Sequence, residues 1–183
     1  TSISRWDYFL TQFSVIATYI RLVFFPIYQN LDYDFPIYNT LFIPEVFFPL
    51  IFLISIFGLG IYMFAISRNH SKEYRLIAFG IFWFFITLSV ESSFIPIVDV
   101  IFEHRIYLPS IGLFLSLTAG VYLIFNKFRE RKLNTIGVSI FVVVILFFSI
   151  LTYLRNNVWS SDLSLWQDTV EKSPEKERPH INL

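Results

Sequence analysis

The chain has 183 residues, 55% hydrophobic and 15% charged, with a mean hydropathy of +0.61 and a formal net charge of zero. That balance is too apolar for an ordinary soluble domain and points to a membrane protein, while neutrality gives no electrostatic case for nucleic acid or a strongly acidic partner. The absence of cysteine excludes disulfides and thiolate metal sites.

The first predicted element lies in 1–28, where "WDYFLTQFSVIATYIRLVFFP" carries Asp7, Thr11, Ser14, Thr18 and Arg21 at steps of four, three, four and three. On a helix these form one narrow polar stripe, as expected of an amphipathic helix lying in the membrane interface or re-entering it. The same stripe would serve a fifth spanning helix that packs it against other spans. Residues 29–45, with "QNLDYDFP", follow as a loop. Four segments, 46–66, 76–96, 106–126 and 135–154, then have the roughly 20 apolar residues that a spanning helix requires. Together they make 46–154 a membrane domain. Two of the connections are short and basic: "SRNHSKEYR", and "NKFRERKLN" with Lys127, Arg129, Arg131 and Lys132. The positive-inside rule places both in the cytoplasm, and hence the loop 29–45, the connection around "VDVIFEHR" and the tail 155–183 on the other side. In the tail, Ser160 or Ser161 is a candidate helix cap with Asp162 in the first turn, Ser173-Pro174 stops that helix, and "PEKERPHINL" opens another. Trp6, Tyr8, Trp159 and Trp166 are candidate interface anchors.

Ionisable side chains at membrane depth are costly and mark cavities or partners. Here the ionisable groups and their polar neighbours are Arg21; Gln29, Asn30, Asp32 and Asp34; Glu91; and Asp99 with Glu103, His104 and Arg105, followed by Tyr107. The topology gathers all of them at the extracytoplasmic ends of the helices. Plainer roles exist for each: a solvated turn for Asp32 and Asp34, charge neutralisation of Arg21 or Arg105 by Glu91, and a surface loop for His104. Asp99, Glu103 and His104 could ligate a divalent metal, but a single imidazole is a weak signature, so no metal or other cofactor is expected. The planar fork of Arg105, with His104 and Arg21 as further cations, suits phosphate oxygens. An apolar groove beside such cations is what a lipid-linked phosphate needs.

The stretches "YFLTQFSVIATYIRLVFFPIYQNLDYDFPI", "ESSFIPIVDVIFEHRIYLPSIG" and "RNNVWSSDLSLWQDTVEKSPEKERPHINL" resemble the transmembrane and tetratricopeptide-repeat family and its bacterial relatives. The resemblance implies an all-α polytopic helical bundle, the C-terminal part of a GT-C-type membrane domain, leading into tetratricopeptide repeats. It implies an integral-membrane glycosyltransferase that moves a sugar, mannose or another hexose, from a polyprenyl-phosphate donor to a protein hydroxyl on the extracytoplasmic face. Partners would be membrane lipid, the polyprenyl-phosphate-linked sugar and an acceptor polypeptide. Under it, Arg105, His104 and Arg21 bind the donor phosphate, while Asp32, Asp34, Gln29, Glu91, Glu103 and Tyr107 hold sugar or acceptor hydroxyls or orient the cations. The family's catalytic acid is expected in a loop upstream of Thr1, so no catalytic residue is expected among these 183 residues. The expected location is a bacterial inner membrane, or the endoplasmic reticulum in a eukaryote. The competing expectation is a non-catalytic anchor, or a lipid-binding or transport module, for a repeat protein.

Overall fold

The computed structural model describes residues 3–97, 99–127 and 131–183, excepting the side chains of 127 and 131–135. The basic stretch Lys127–Lys132, used to orient the chain, therefore lies outside the described side chains. The chain is all-α, with 73% of it helical and no strand among the described residues. It forms two compact units: Thr1–Phe25 with Phe35–Leu123, and Pro26–Asp34 with Ile124–Leu183.

The first unit begins with α1, Arg5–Phe24. Ser4 caps it by accepting a hydrogen bond from the Asp7 amide at 3.1 Å. Asp7 in the first turn and Arg21 in the last match the helix dipole. The polar stripe of α1 packs inward along most of its length. Thr11 is fully buried and Ser14 nearly so. The Thr11 hydroxyl donates to the Asp7 carbonyl and accepts from the Tyr38 amide, while Ser14 donates to the Glu45 carbonyl. Hydroxyls that return to backbone carbonyls and amides can be buried in a tight helix contact without leaving polar groups unsatisfied.

α2, Pro44–Ile66, starts with proline in its first turn, where the missing N–H costs nothing. Most of its side chains are exposed apolar residues, and Val46, Leu53 and Gly60 are the ones buried against its neighbours α1 and α3. α3 spans Lys72–Ser89. A 3-10 turn, Glu103–Ile106, leads into α4, Tyr107–Lys127. Ile77 and Ile81 of α3 with Ala119 of α4 form a small core, flanked by Ile56, Met63, Phe85 and Leu123. Gly80 and Gly112 let the two helices meet at backbone distance: a Cβ on either would collide with the carbonyl oxygen of the other. Beside them the Ser116 hydroxyl donates across to the Ile77 carbonyl at 2.9 Å. Small residues at such a crossing replace the hydrophobic drive that is missing between helices in lipid.

The second unit holds α5, Arg131–Val158; α6, Asp162–Lys172; and α7, Glu177–Asn182. Ser161 caps α6 in a reciprocal box with Ser164, and Ser173 ends the helix where Ser-Pro was expected to. Arg155 of α5 and Lys172 of α6 both pair with Asp168, at 2.8 and 2.6 Å.

Three helical stretches, Pro44–Ile66, Glu103–Asn126 and Ile136–Val158, are long and apolar enough to cross a bilayer, which makes the chain an integral membrane protein. The expected span 76–96 is corrected. Its helix begins earlier, on the charged Lys72, Glu73 and Arg75, and ends at Ser89, leaving 90–96 as irregular chain. Tyr8, expected as an interface anchor, is instead fully buried, whereas Trp6 and Trp159 are exposed.

Candidate functional site

The irregular segment after α3 is laced to one face of α1. The Tyr8 hydroxyl donates to the Glu91 carbonyl at 3.0 Å, and the Gln12 amide reaches the Val100 carbonyl at 3.4 Å. The Tyr19 hydroxyl accepts from the Phe102 amide at 2.9 Å. Tyr8, Val15 and Tyr19 are all completely buried. Phe9 stacks on Phe94 with ring centroids 4.2 Å apart.

Arg105 sits at the centre of this arrangement. Its side chain is only 8% exposed; Nε lies 2.8 Å from the Glu91 carboxylate, and Nη1 donates to the Asp99 carbonyl at 2.8 Å. The guanidinium also lies close enough to the Tyr8 and Tyr19 hydroxyls to act on both electrostatically. A charge so enclosed is tolerable because it is paired and its fork is aimed at acceptors. Arg105 therefore ties Glu91 and Asp99 to the turn that leads into α4. Of its neighbours, His104 is exposed and Glu103 half-buried, and Tyr107 is largely exposed at the start of α4. The imidazole rests 4.6 Å from the Phe102 ring, centroid to centroid.

Glu103, His104, Tyr107 and Ser110 line an open cleft of about 450 Å³ whose remaining walls include Val23 and Phe114. Arg21, the other expected phosphate ligand, lines a different cleft of about 460 Å³ with Thr18, Tyr38, Glu45 and Pro49. There burial, assisted by the Glu45 charge, pushes the Tyr38 phenol above its usual range, so it stays protonated. The three cations expected to share one phosphate are thus divided among an interior nest and two clefts. Among the described residues no three His, Asp or Glu side chains converge as metal ligands.

The "QNLDYDFP" residues up to Asp34 belong to the second unit. Asp32, 5% exposed, receives Arg178 Nε at 2.7 Å and Lys176 Nζ at 3.4 Å. Asn30 donates to the Ser173 hydroxyl at 2.8 Å, and the same oxygen accepts from the Asp34 amide at 2.9 Å. Lys172 donates to the Gln29 carbonyl at 2.8 Å. This set clamps the loop to the α6–α7 junction, and only Asp34 leaves its side chain exposed.

Sequence reasoning gave Tyr8 a different role and missed Gln12 and Tyr19, and the tail partners Ser173, Lys176 and Arg178. A signal existed for the tyrosines: eleven residues, close to three helical turns, separate Tyr8 from Tyr19, so they share a face. None marked the tail partners of Asn30 and Asp32, more than 140 residues away in sequence.

The architecture defines an all-α membrane protein whose polar loop is built around a buried arginine. Comparison with known proteins adds two relatives. Residues of this chain are 29% identical over 77 positions to mouse protein O-mannosyl-transferase TMTC2, covering 42% of the chain. They are 27% identical over 101 positions to the human protein of the same name, covering 50% of the chain. The matched regions amount to 9% and 12% of those proteins, so the chain spans about a tenth of the length of the relatives it matches. No family model and no solved structure matches.

Proposed function

We propose that the chain is part of an integral-membrane glycosyltransferase that moves a hexose from a polyprenyl-phosphate donor to a protein hydroxyl. The observation that carries this reading is the Glu103–His104–Tyr107–Ser110 cleft, held in place by Arg105 and walled on its apolar side by Val23, Ile106 and Phe114. The O-mannosyl-transferase relatives support it. The acceptor oxygen attacks the anomeric carbon as the bond from that carbon to the phosphate oxygen breaks. The bonding pair leaves with the lipid phosphate, and the acceptor proton passes to a carboxylate from outside these 183 residues. In this chain His104 and Tyr107 hold the departing phosphate through hydrogen bonds that strengthen as its charge grows. Glu103 orients His104. Arg105 is a positioning residue, its charge neutralised by Glu91.

Full-length protein in membrane vesicles, given a radiolabelled polyprenyl-phosphate hexose, tests this. His104→Ala should lower transfer to polypeptide by about a hundredfold, the loss typical of one donor to a developing anion. Undiminished transfer by that variant would remove the phosphate role. The anchor reading draws on a different observation, the Asp32 clamp, and predicts that no labelled hexose is transferred at all.

A further inference from the structure

The second unit contains a groove of about 430 Å³ that the transfer reaction does not use. Leu151, Leu154, Arg155 and Val158 line it from one face of α5, at steps of three, one and three residues. Ile27 and Lys172 add lining from the chain before Asn30 and from the end of α6. We infer that this groove is a binding site for an anionic phospholipid of the surrounding bilayer, with one acyl chain against the α5 leucines and the phosphate on Lys172 and Arg155.

Three observations point to that occupant. The first is position. Leu151, Leu154 and Val158 end the apolar stretch Ile136–Val158, which is long enough to span and has none of its most apolar window buried within the chain. A groove on that flank opens where acyl chains run and headgroups begin.

The second is charge. Arg155 and Lys172 share the single carboxylate of Asp168, leaving these three groups with a surplus of one positive charge. An ammonium has three donors, and Asp168 and the Gln29 carbonyl take two from Lys172. Arg155 Nη2 is buried with no hydrogen-bond partner among the described residues. A phosphate, with several acceptor oxygens, suits both residues.

The third is backbone. Tyr28, in the groove lining, has φ of 56°, a left-handed conformation that a bulky side chain rarely adopts. Such strain persists where the surroundings fix the chain, and it recurs at ligand clamps. The hydrogen bond from Lys172 to the next residue, Gln29, supplies that fixing from the proposed headgroup contact.

Native mass spectrometry of the full-length protein in neutral detergent, titrated with phosphatidylglycerol or phosphatidylcholine of identical acyl chains, tests the site. The wild type should retain phosphatidylglycerol about fivefold more tightly, the ratio expected of one lysine-to-lipid charge contact near a membrane surface. Lys172→Gln should erase that preference, Lys172→Arg should keep it, and Leu154→Trp, which fills the groove and leaves the ion pairs intact, should weaken both lipids alike. Excess inorganic phosphate should not displace the lipid. Equal retention of the two lipids by the wild type, an unchanged preference in Lys172→Gln, or displacement by inorganic phosphate would each overturn the inference, the last by making the ligand a free anion.

Discussion

Removing the Asp32 carboxylate should loosen the end of the chain without touching the first unit. Arg178 Nε donates to Asp32 at 2.7 Å, a charge-assisted hydrogen bond of about 1.5–3 kcal/mol. Because the Arg178 side chain is 48% exposed, the lower half of that range applies. Lys176, 31% exposed and 3.4 Å away, adds about 0.5 kcal/mol. Asp32→Ala should therefore raise the free energy of the clamped state by about 2 kcal/mol, roughly a thirtyfold change in the local opening equilibrium. Hydrogen exchange on detergent-solubilised protein reads this directly. The amides of α7 and of the Ser173 turn should exchange about thirtyfold faster, while those of α1–α4 stay unchanged. Asp32→Asn, which keeps an acceptor for Arg178, should show a smaller effect. Adding Arg178→Ala to Asp32→Ala should make little further difference, since both remove the same contact. Unaltered exchange in Asp32→Ala would refute the clamp and return that carboxylate to the candidates for sugar binding.

Further outcomes follow from the first unit. Glu91→Gln leaves the buried Arg105 charge without its carboxylate and should destabilise the Glu91–Tyr107 segment by about 1–3 kcal/mol, less than for a fully buried pair because Glu91 is 43% exposed. Protease sensitivity confined to residues 90–106 would check it. Gly80→Val puts a side chain where the Gly112 carbonyl lies and should separate α3 from α4, giving a melting temperature several degrees lower, whereas Gly58→Ala, with open space around it, should be nearly neutral. Ser161→Ala removes the capping box of α6 and should cost about 1 kcal/mol of local stability, visible as faster exchange in the first turn of that helix.

Legibility in the sequence followed the range of the interactions involved. Apolar runs and caps are local, so α2, α4, α5 and α6 were foreseeable from "VFFPLIFLISIF" and its counterparts and from Ser161 with Asp162. The polar stripe of α1 was legible as periodicity, but its orientation was not, because the acceptors for Thr11 and Ser14 are backbone groups that no side-chain pattern reveals. The span at 76–96 runs past its helix at the C-terminal end: hydropathy makes Phe94–Pro96 membrane-like, while the chain there turns away and Phe94 stacks on Phe9. The polar loop residues were recognisable by type, since a guanidinium and carboxylates in an apolar chain are conspicuous. Which of them would be buried was not. Glu91 and Arg105 stand fourteen positions apart, and their pairing depends on a loop path set by Tyr8 and Tyr19.

The central claim, that the His104 cleft receives a lipid phosphate, is tested most directly by photocrosslinking. A polyprenyl phosphate carrying a photoreactive group beside its phosphate, irradiated with the full-length protein in membranes and followed by peptide sequencing, should label residues 102–114. That label should be competed by unmodified polyprenyl phosphate and lost in His104→Ala. Labelling that avoids 102–114, or that persists undiminished in His104→Ala, would contradict the account.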